Sequence, residues 1–270
     1  MLARRTVPWL LASSLVVLAA APAMAAAGDP VWTTTWAGPA SLLDTPRDMV
    51  VDAAHNRVYV VGTTTISDGI AGTITDIITI AYDASTGSKL WARRYDGAVH
   101  GSDLGIAIAY DPSSGGVNVL GATETSFATG QLDTVTIAYA ADGSRRWVRR
   151  VKHPGGNLPV NLVVDAGSTY VFVNGDHGRL IAYDFAGTRR WGHAVTANTL
   201  AEGADLIDVG GYLIALGTIS DGSGGSAMLT SGFTIYGDPV WKKRFAGPAA
   251  HAVALHKTPA VVRCPSFFFQ

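Results

Sequence analysis

The chain has 270 residues, 48% of them apolar and only 15% charged, with a formal net charge of −1. That balance allows a large core and gives no electrostatic footprint for nucleic acid, whose partners carry basic patches. One cysteine, Cys264, excludes an internal disulfide framework.

Residues 1–27 read as an export signal. Arg4 and Arg5 make a short basic region, Val7 to Ala21 an apolar one, and Ala23-Met24-Ala25 or Ala25-Ala26-Ala27 a small-residue cleavage site. An uncleaved anchor helix is the alternative, because the apolar run approaches the ~20 residues of a membrane span. With the signal removed, 18 basic residues face 21 acidic ones, and no membrane attachment is expected. The expected location is secreted or periplasmic.

Beyond the signal the composition favours strands and turns. There are 31 Gly, and Glu occurs only at Glu124 and Glu202; Gly and Asp build turns, whereas Glu favours helix. Ile77 to Tyr82 is a β-branched and aromatic run, Asp83-Ala84-Ser85-Thr86-Gly87 a turn, and Leu90 to Tyr95 a second strand carrying Trp91. Asp133 to Arg150, Arg179 to Trp191 and Phe233 to Phe245 repeat this hairpin, and Val31 to Trp36 matches its second strand alone. The five tryptophans Trp32, Trp91, Trp147, Trp191 and Trp241 stand 59, 56, 44 and 50 residues apart.

Between the tryptophan strands lies a second kind of hairpin. Its first strand closes on Asp52, Asp111, Asp165 or Asp208; its second ends near Gly62, Gly121 or Gly217 in three copies. Four antiparallel strands in a period of about 50 residues are the pattern of a β-propeller blade. The expected fold is all-β, with a propeller domain over residues 28–262. Its blades span about 44–97, 101–151, 157–196 and 203–246, with closing strands at 31–36 and 251–262 and an irregular tail at 263–270. Either this is a five-blade ring, or the chain is a truncated or frame-shifted piece of a longer one; the abrupt break after Lys257 favours the second.

The spacing Asp83-x3-Gly87-x3-Trp91 resembles the tryptophan-docking motif of quinoprotein-like propellers. The wider pattern resembles the secreted bacterial repeats called SBBP or delta-60-type repeats. The resemblance implies that Trp91, Trp147, Trp191 and Trp241 staple adjacent blades, with Trp32 doing so at the closure. The motif drifts to Ala140 in the second copy and to Ile235-Tyr236-Gly237-Asp238-Pro239 in the fourth, so less regular docking is expected there.

Candidate chemistry is sparse. A pyrroloquinoline quinone (PQQ) site would need a funnel of Asp, Asn or Arg and a calcium ion, so no cofactor is expected. Ser67-Asp68-Gly69 and Ser220 to Gly225 are the loops to weigh for calcium, but neither has alternating acidic ligands. His100, His153, His193 and His251 follow tryptophan strands out of phase, so no metal site is expected. No Gly-x-Ser-x-Gly elbow occurs. Asp44 and Asp103, eight residues before Asp52 and Asp111, are the candidate ligand-binding residues, with turn capping as the alternative. Asp76 and Asp133 read as turn residues, and the basic pairs Arg93-Arg94, Arg149-Arg150 and Lys242-Lys243 as guards of an outer edge strand. The expected function is that of a monomeric, non-catalytic binding or scaffold module for a protein or glycan. The alternatives are an enzyme acting on a small molecule or glycan at the channel mouth, and a non-functional fragment.

Overall fold

The computed structural model describes residues 30–40, 42–67, 72–152, 159–165, 167–197, 199–220 and 225–246, and near the end 252, 254, 256–257 and 262–263. The export signal, the two loops considered for calcium (apart from Ser67, Ser220 and Gly225), His153, His251 and most of the tail lie outside the described residues.

Four antiparallel sheets of four strands follow one another. Blade 1 holds β1 (Asp44–Asp52), β2 (Arg57–Ser67), β3 (Thr73–Asp83) and β4 (Lys89–Tyr95). Blade 2 holds β5 (Asp103–Asp111), β6 (Gly116–Ser126), β7 (Gln131–Tyr139) and β8 (Arg145–Val151). Blade 3 holds β9 (Pro159–Asp165), β10 (Ser168–Val173), β11 (Arg179–Tyr183) and β12 (Arg189–Ala194). Blade 4 holds β13 (Leu200–Val209), β14 (Tyr212–Ser220), β15 (Ser226–Thr234) and β16 (Pro239–Ala246). A short hairpin of β17 (His256–Lys257) and β18 (Val262–Arg263) follows, and β17 lies against β13. The fold is an all-β propeller.

The first strands β1, β5, β9 and β13 touch in succession and line the inside. Asp48 of β1 accepts from the Ile108 amide of β5 at 3.0 Å, and the Asn161 amide of β9 donates to Asp205 of β13 at 2.5 Å. Cores form between blades, so middle strands are buried on both faces and apolar at consecutive positions. Tyr59, Val61, Ile77 and Ala81 meet Val117, Val119, Val135 and Ile137 between blades 1 and 2. Ile181 and Val171 join Leu120 and Ala138 at the next joint, and Phe172 and Leu180 join Leu213 and Phe233 at the last.

Two kinds of bulge shape the blades. In the outer hairpins one residue is skipped immediately before each tryptophan: Leu90, Arg146, Arg190 and Val240. Such a bulge re-aims the strand behind it. In blades 1, 2 and 4 the inner strand bulges at Arg47, Ile106 and Ala204, opposite Gly62, Gly121 and Gly217. These glycines therefore stand within the second strand rather than at its end. A Cβ on Gly62 would lie 2.4 Å from the Thr45 carbonyl oxygen, so the bulge leaves no room for a side chain.

Two expected strands differ. Residues 31–36 enter no sheet; they lie on blade 1 through side chains, with Trp32 on its outer turn and Trp36 against Ile78, Ile80 and Tyr82. The pairing expected from residue 251 onward begins, among the described residues, only at His256. Asp52 and Asp111 close their strands as side-chain turns: Asp52 accepts from the His55 amide at 3.2 Å and Asp111 from the Ser113 amide at 3.0 Å.

Candidate functional site

Four of the five tryptophans dock in one way. The indole N–H of Trp32 donates to the Ala84 carbonyl at 2.7 Å, Trp91 to Ala141 at 3.0 Å, Trp147 to Phe185 at 3.1 Å and Trp191 to Ile235 at 3.1 Å. For Trp91, Trp147 and Trp191 the turn belongs to the next blade. Each indole lies on a turn glycine in the left-handed region: Gly87, Gly143, Gly187 or Gly237. A Cβ on Gly187 would come within 2.6 Å of the Trp147 ring. The drifted turns dock like the others because the acceptor is a main-chain carbonyl, which any residue supplies. Trp241 is different: it is 38% exposed on β16.

Arg93, Arg94 and Arg149 of the basic pairs have specific partners and are more than edge guards. Arg93 Nε donates to the Gly143 carbonyl at 2.7 Å and Arg149 Nε to the Gly187 carbonyl at 2.6 Å, so each clamps the turn its neighbouring tryptophan rests on. Arg94 reaches Asp76 at 2.9 Å.

Asp44 and Asp103 occupy the same position in successive blades and are not brought into one site. Each begins its inner strand and holds a glycine amide: Gly38 donates to Asp44 at 2.7 Å, and Gly97 to Asp103 at 2.6 Å. Thr64 and Thr123 lie opposite them in the ladder. This is the capping role, in two copies. Asp76 and Asp133 are not turn residues: they lie inside β3 and β7, 0% and 4% exposed, opposite Thr64 and Thr123. Near neutral pH a buried carboxylate needs compensation, which makes Asp76 the residue that strand patterning missed; a charged residue in an apolar run is the signal that marks it.

Asp76, Asp96 and Asp103 bring carboxylate oxygens within 4.8 Å of one another at the seam of blades 1 and 2. Burial pushes the Asp76 and Asp103 carboxyls up to about 6, against the pull of Arg94 on the first. His100 bonds Asp96 at 2.9 Å, and His193 stacks on Trp191, so these histidines do not converge.

The other feature is a groove of about 310 Å³ on the face of blade 1 turned away from blade 2. Val58, Val60, Ile78 and Ile80 form its floor, Trp32, Trp36, Tyr82 and Met49 its sides, and Asp44 one end. Lys89 holds its ammonium 4.7 Å from the Trp36 ring.

The profile of the family described as outer membrane protein assembly factor BamB, a PQQ-type repeat, matches residues 16–217. This chain belongs to that PQQ-like propeller family. No curated protein matches it. Among solved structures, the quinohemoprotein alcohol dehydrogenase from Comamonas testosteroni is similar at 18% identity over 71% of this chain and 34% of its own, with a TM-score of 0.46. The α-L-arabinofuranosidase from Clostridium thermocellum is similar at 12% identity over 80% of this chain and 79% of its own, with a TM-score of 0.45. The chain thus spans about a third of the length of the dehydrogenase.

The family name suggests a quinone, and the described residues where the inner strands converge do not fit one. The cavity where the inner strands converge is lined by Val50, Ile108, Leu162, Val163 and Ile207, with Tyr110 and Asp208 as its polar side chains. A quinone bearing several carboxylates needs cations there, and an aspartate repels it.

Proposed function

We propose that this PQQ-like propeller is an exported, non-catalytic binding module that takes an extended apolar segment of another protein into the blade 1 groove. The observation that carries this reading is the groove's lining: aliphatic side chains on a sheet, walled by Trp32, Trp36 and Tyr82. Concave apolar sites with a few polar groups are where ligands bind. Aliphatic residues predominate over hydrogen-bonding groups, which favours an apolar side-chain row over a sugar. The family description, an assembly factor for outer membrane proteins, favours a polypeptide partner as well. Asp44 and Asp103 each hold a glycine amide in a different blade, so the two do not form a catalytic carboxylate pair. The module acts as a monomer, secreted or periplasmic.

The test is a tryptophan-fluorescence titration of the mature chain with a strand-forming peptide of alternating valine and tyrosine, and in parallel with xylohexaose. Saturable binding of the peptide, lost in Ile80→Asp, is expected. No response to the peptide, or a saturable response to the sugar alone, sinks the reading.

A further inference from the structure

The seam between blades 1 and 2 carries more negative charge than the fold requires. At blade 1 the inner-strand start is held by Asp44, Thr64 and Gly38, and the residue before that glycine is Ala37. At blade 2 the same arrangement recurs with Asp103, Thr123 and Gly97, but the preceding residue is Asp96, and Asp76 of β3 faces the group as well. Asp76 and Asp103 are both 0% exposed. Oδ1 of Asp76 and of Asp96 each lacks a hydrogen-bond partner, while the Thr123 hydroxyl faces Asp103. Other titratable groups surround the cluster, among them buried Tyr95 beside Asp103 and Asp133, which lies opposite Thr123 in β7. Arg94 lies 2.9 Å from Asp76 and 3.8 Å from Asp96, His100 pairs with Asp96, and Glu124 of β6 accepts from the Ser102 amide at 2.8 Å. When all are ionised, one arginine and a mostly exposed histidine face four carboxylates.

We propose that this seam is an acid-tightened joint: Asp76 and Asp103, contributed by different blades, hold a proton at mildly acidic pH, and losing it loosens the contact between β3 and β5. Two buried carboxylates at this separation cannot both ionise without a large repulsion. A proton on either removes that repulsion and supplies an O–H donor for an oxygen that has none. The sign follows from linkage. Burial raises both carboxyls from 3.8 to about 6 in the folded chain. The folded state therefore binds more protons than the unfolded one between those values. Their contribution to stability is complete below pH 3.8 and is lost as pH rises through about 6. This runs opposite to an ion-paired aspartate, whose contribution is lost in acid. An exported protein meets such changes in its surroundings, and this joint, on the face of blade 1 opposite the groove, would respond to them.

Thermal unfolding of the full chain at pH 5.5 and pH 8, in EDTA, tests this. The wild type should melt higher at pH 5.5 by at least roughly 3 °C, a shift of about 1 kcal/mol for a chain of this size. Asp76→Asn should lose most of that difference. An equal difference in Asp76→Asn and Asp103→Asn overturns the proposal. So does a calcium-induced rise at pH 8 that Asp96→Asn abolishes, which makes the cluster a cation site. Carboxyl-carbon NMR of the wild type over the same range needs no variant. Titration of a buried aspartate above pH 5 is expected, and its absence overturns the joint.

Discussion

The indole N–H of Trp91 donates to the carbonyl of Ala141, one blade and fifty residues further along the chain. Tyr59 and Tyr139 flank the same ring at 5.8 and 6.0 Å. Two effects are combined at this joint, and they are separable. Trp91→Phe keeps most of the packing and loses the hydrogen bond, costing about 1 kcal/mol. Trp91→Ala also opens a cavity, raising the cost to about 3–5 kcal/mol. Urea unfolding of both variants checks the ratio; equal losses would mean that the hydrogen bond, not the ring, holds the blades.

Gly187 has φ +77 and would place a Cβ 2.6 Å from the Trp147 ring, whereas Gly210 has φ +58 and meets nothing within 4 Å. Both Gly→Ala substitutions carry the left-handed strain, about 1 kcal/mol. Only Gly187→Ala also displaces an indole. It should be the more destabilising by at least about 1 kcal/mol, with a changed near-ultraviolet tryptophan signal that Gly210→Ala leaves alone.

Arg149 donates from Nε to the Gly187 carbonyl while its guanidinium lies 6.0 Å from the Trp147 ring centre. Lysine has no equivalent of Nε in a planar fork. Arg149→Lys should therefore lose nearly as much as Arg149→Ala, about 1 kcal/mol for a half-buried charged donor. Full recovery of the melting temperature in the lysine variant would reduce the clamp to bulk charge.

Asp44 and Asp103 each accept a glycine amide at a strand start. Replacing either by alanine should cost about 1–3 kcal/mol, and asparagine, which keeps an acceptor oxygen, less. Chemical denaturation of the four variants measures this. Unchanged stability in Asp44→Ala and Asp103→Ala would remove the capping role and leave only ligand binding for these residues, Asp44 at one end of the groove.

What was legible in the sequence is what a single blade dictates. The run Ile77 to Tyr82, the turn at Asp83 and the aspartates that close β1 and β5 follow from local propensity and turn chemistry. Asp83 accepts from the Ser85 and Thr86 hydroxyls at 2.7 and 2.9 Å and also from their amides, and those bonds bring its carboxyl down to about 2. Apart from the tryptophan docking that the repeat motif implied, features set by strand register or by partners distant in the chain were not legible. The skipped residues Leu90 and Arg146 are set by sheet register, which hydrophobic pattern constrains only to within an even shift. Arg93 looked like a solubility device because its partner, Gly143, is fifty residues away and uses only its carbonyl. Asp76 was assigned to a turn because an isolated acid beside an apolar run usually ends it. Here the strand continues through it, and Arg94 on the adjacent strand supplies the counter-charge.

Because the tryptophan engages a carbonyl and a bare glycine, the plug and the socket are the same in blades that otherwise share little sequence. A blade inserted, deleted or exchanged between two others meets a joint it already knows how to make. Gene duplication can lengthen or shorten such an array without inventing a new contact, and selection is then free to rewrite the exposed loops one repeat at a time.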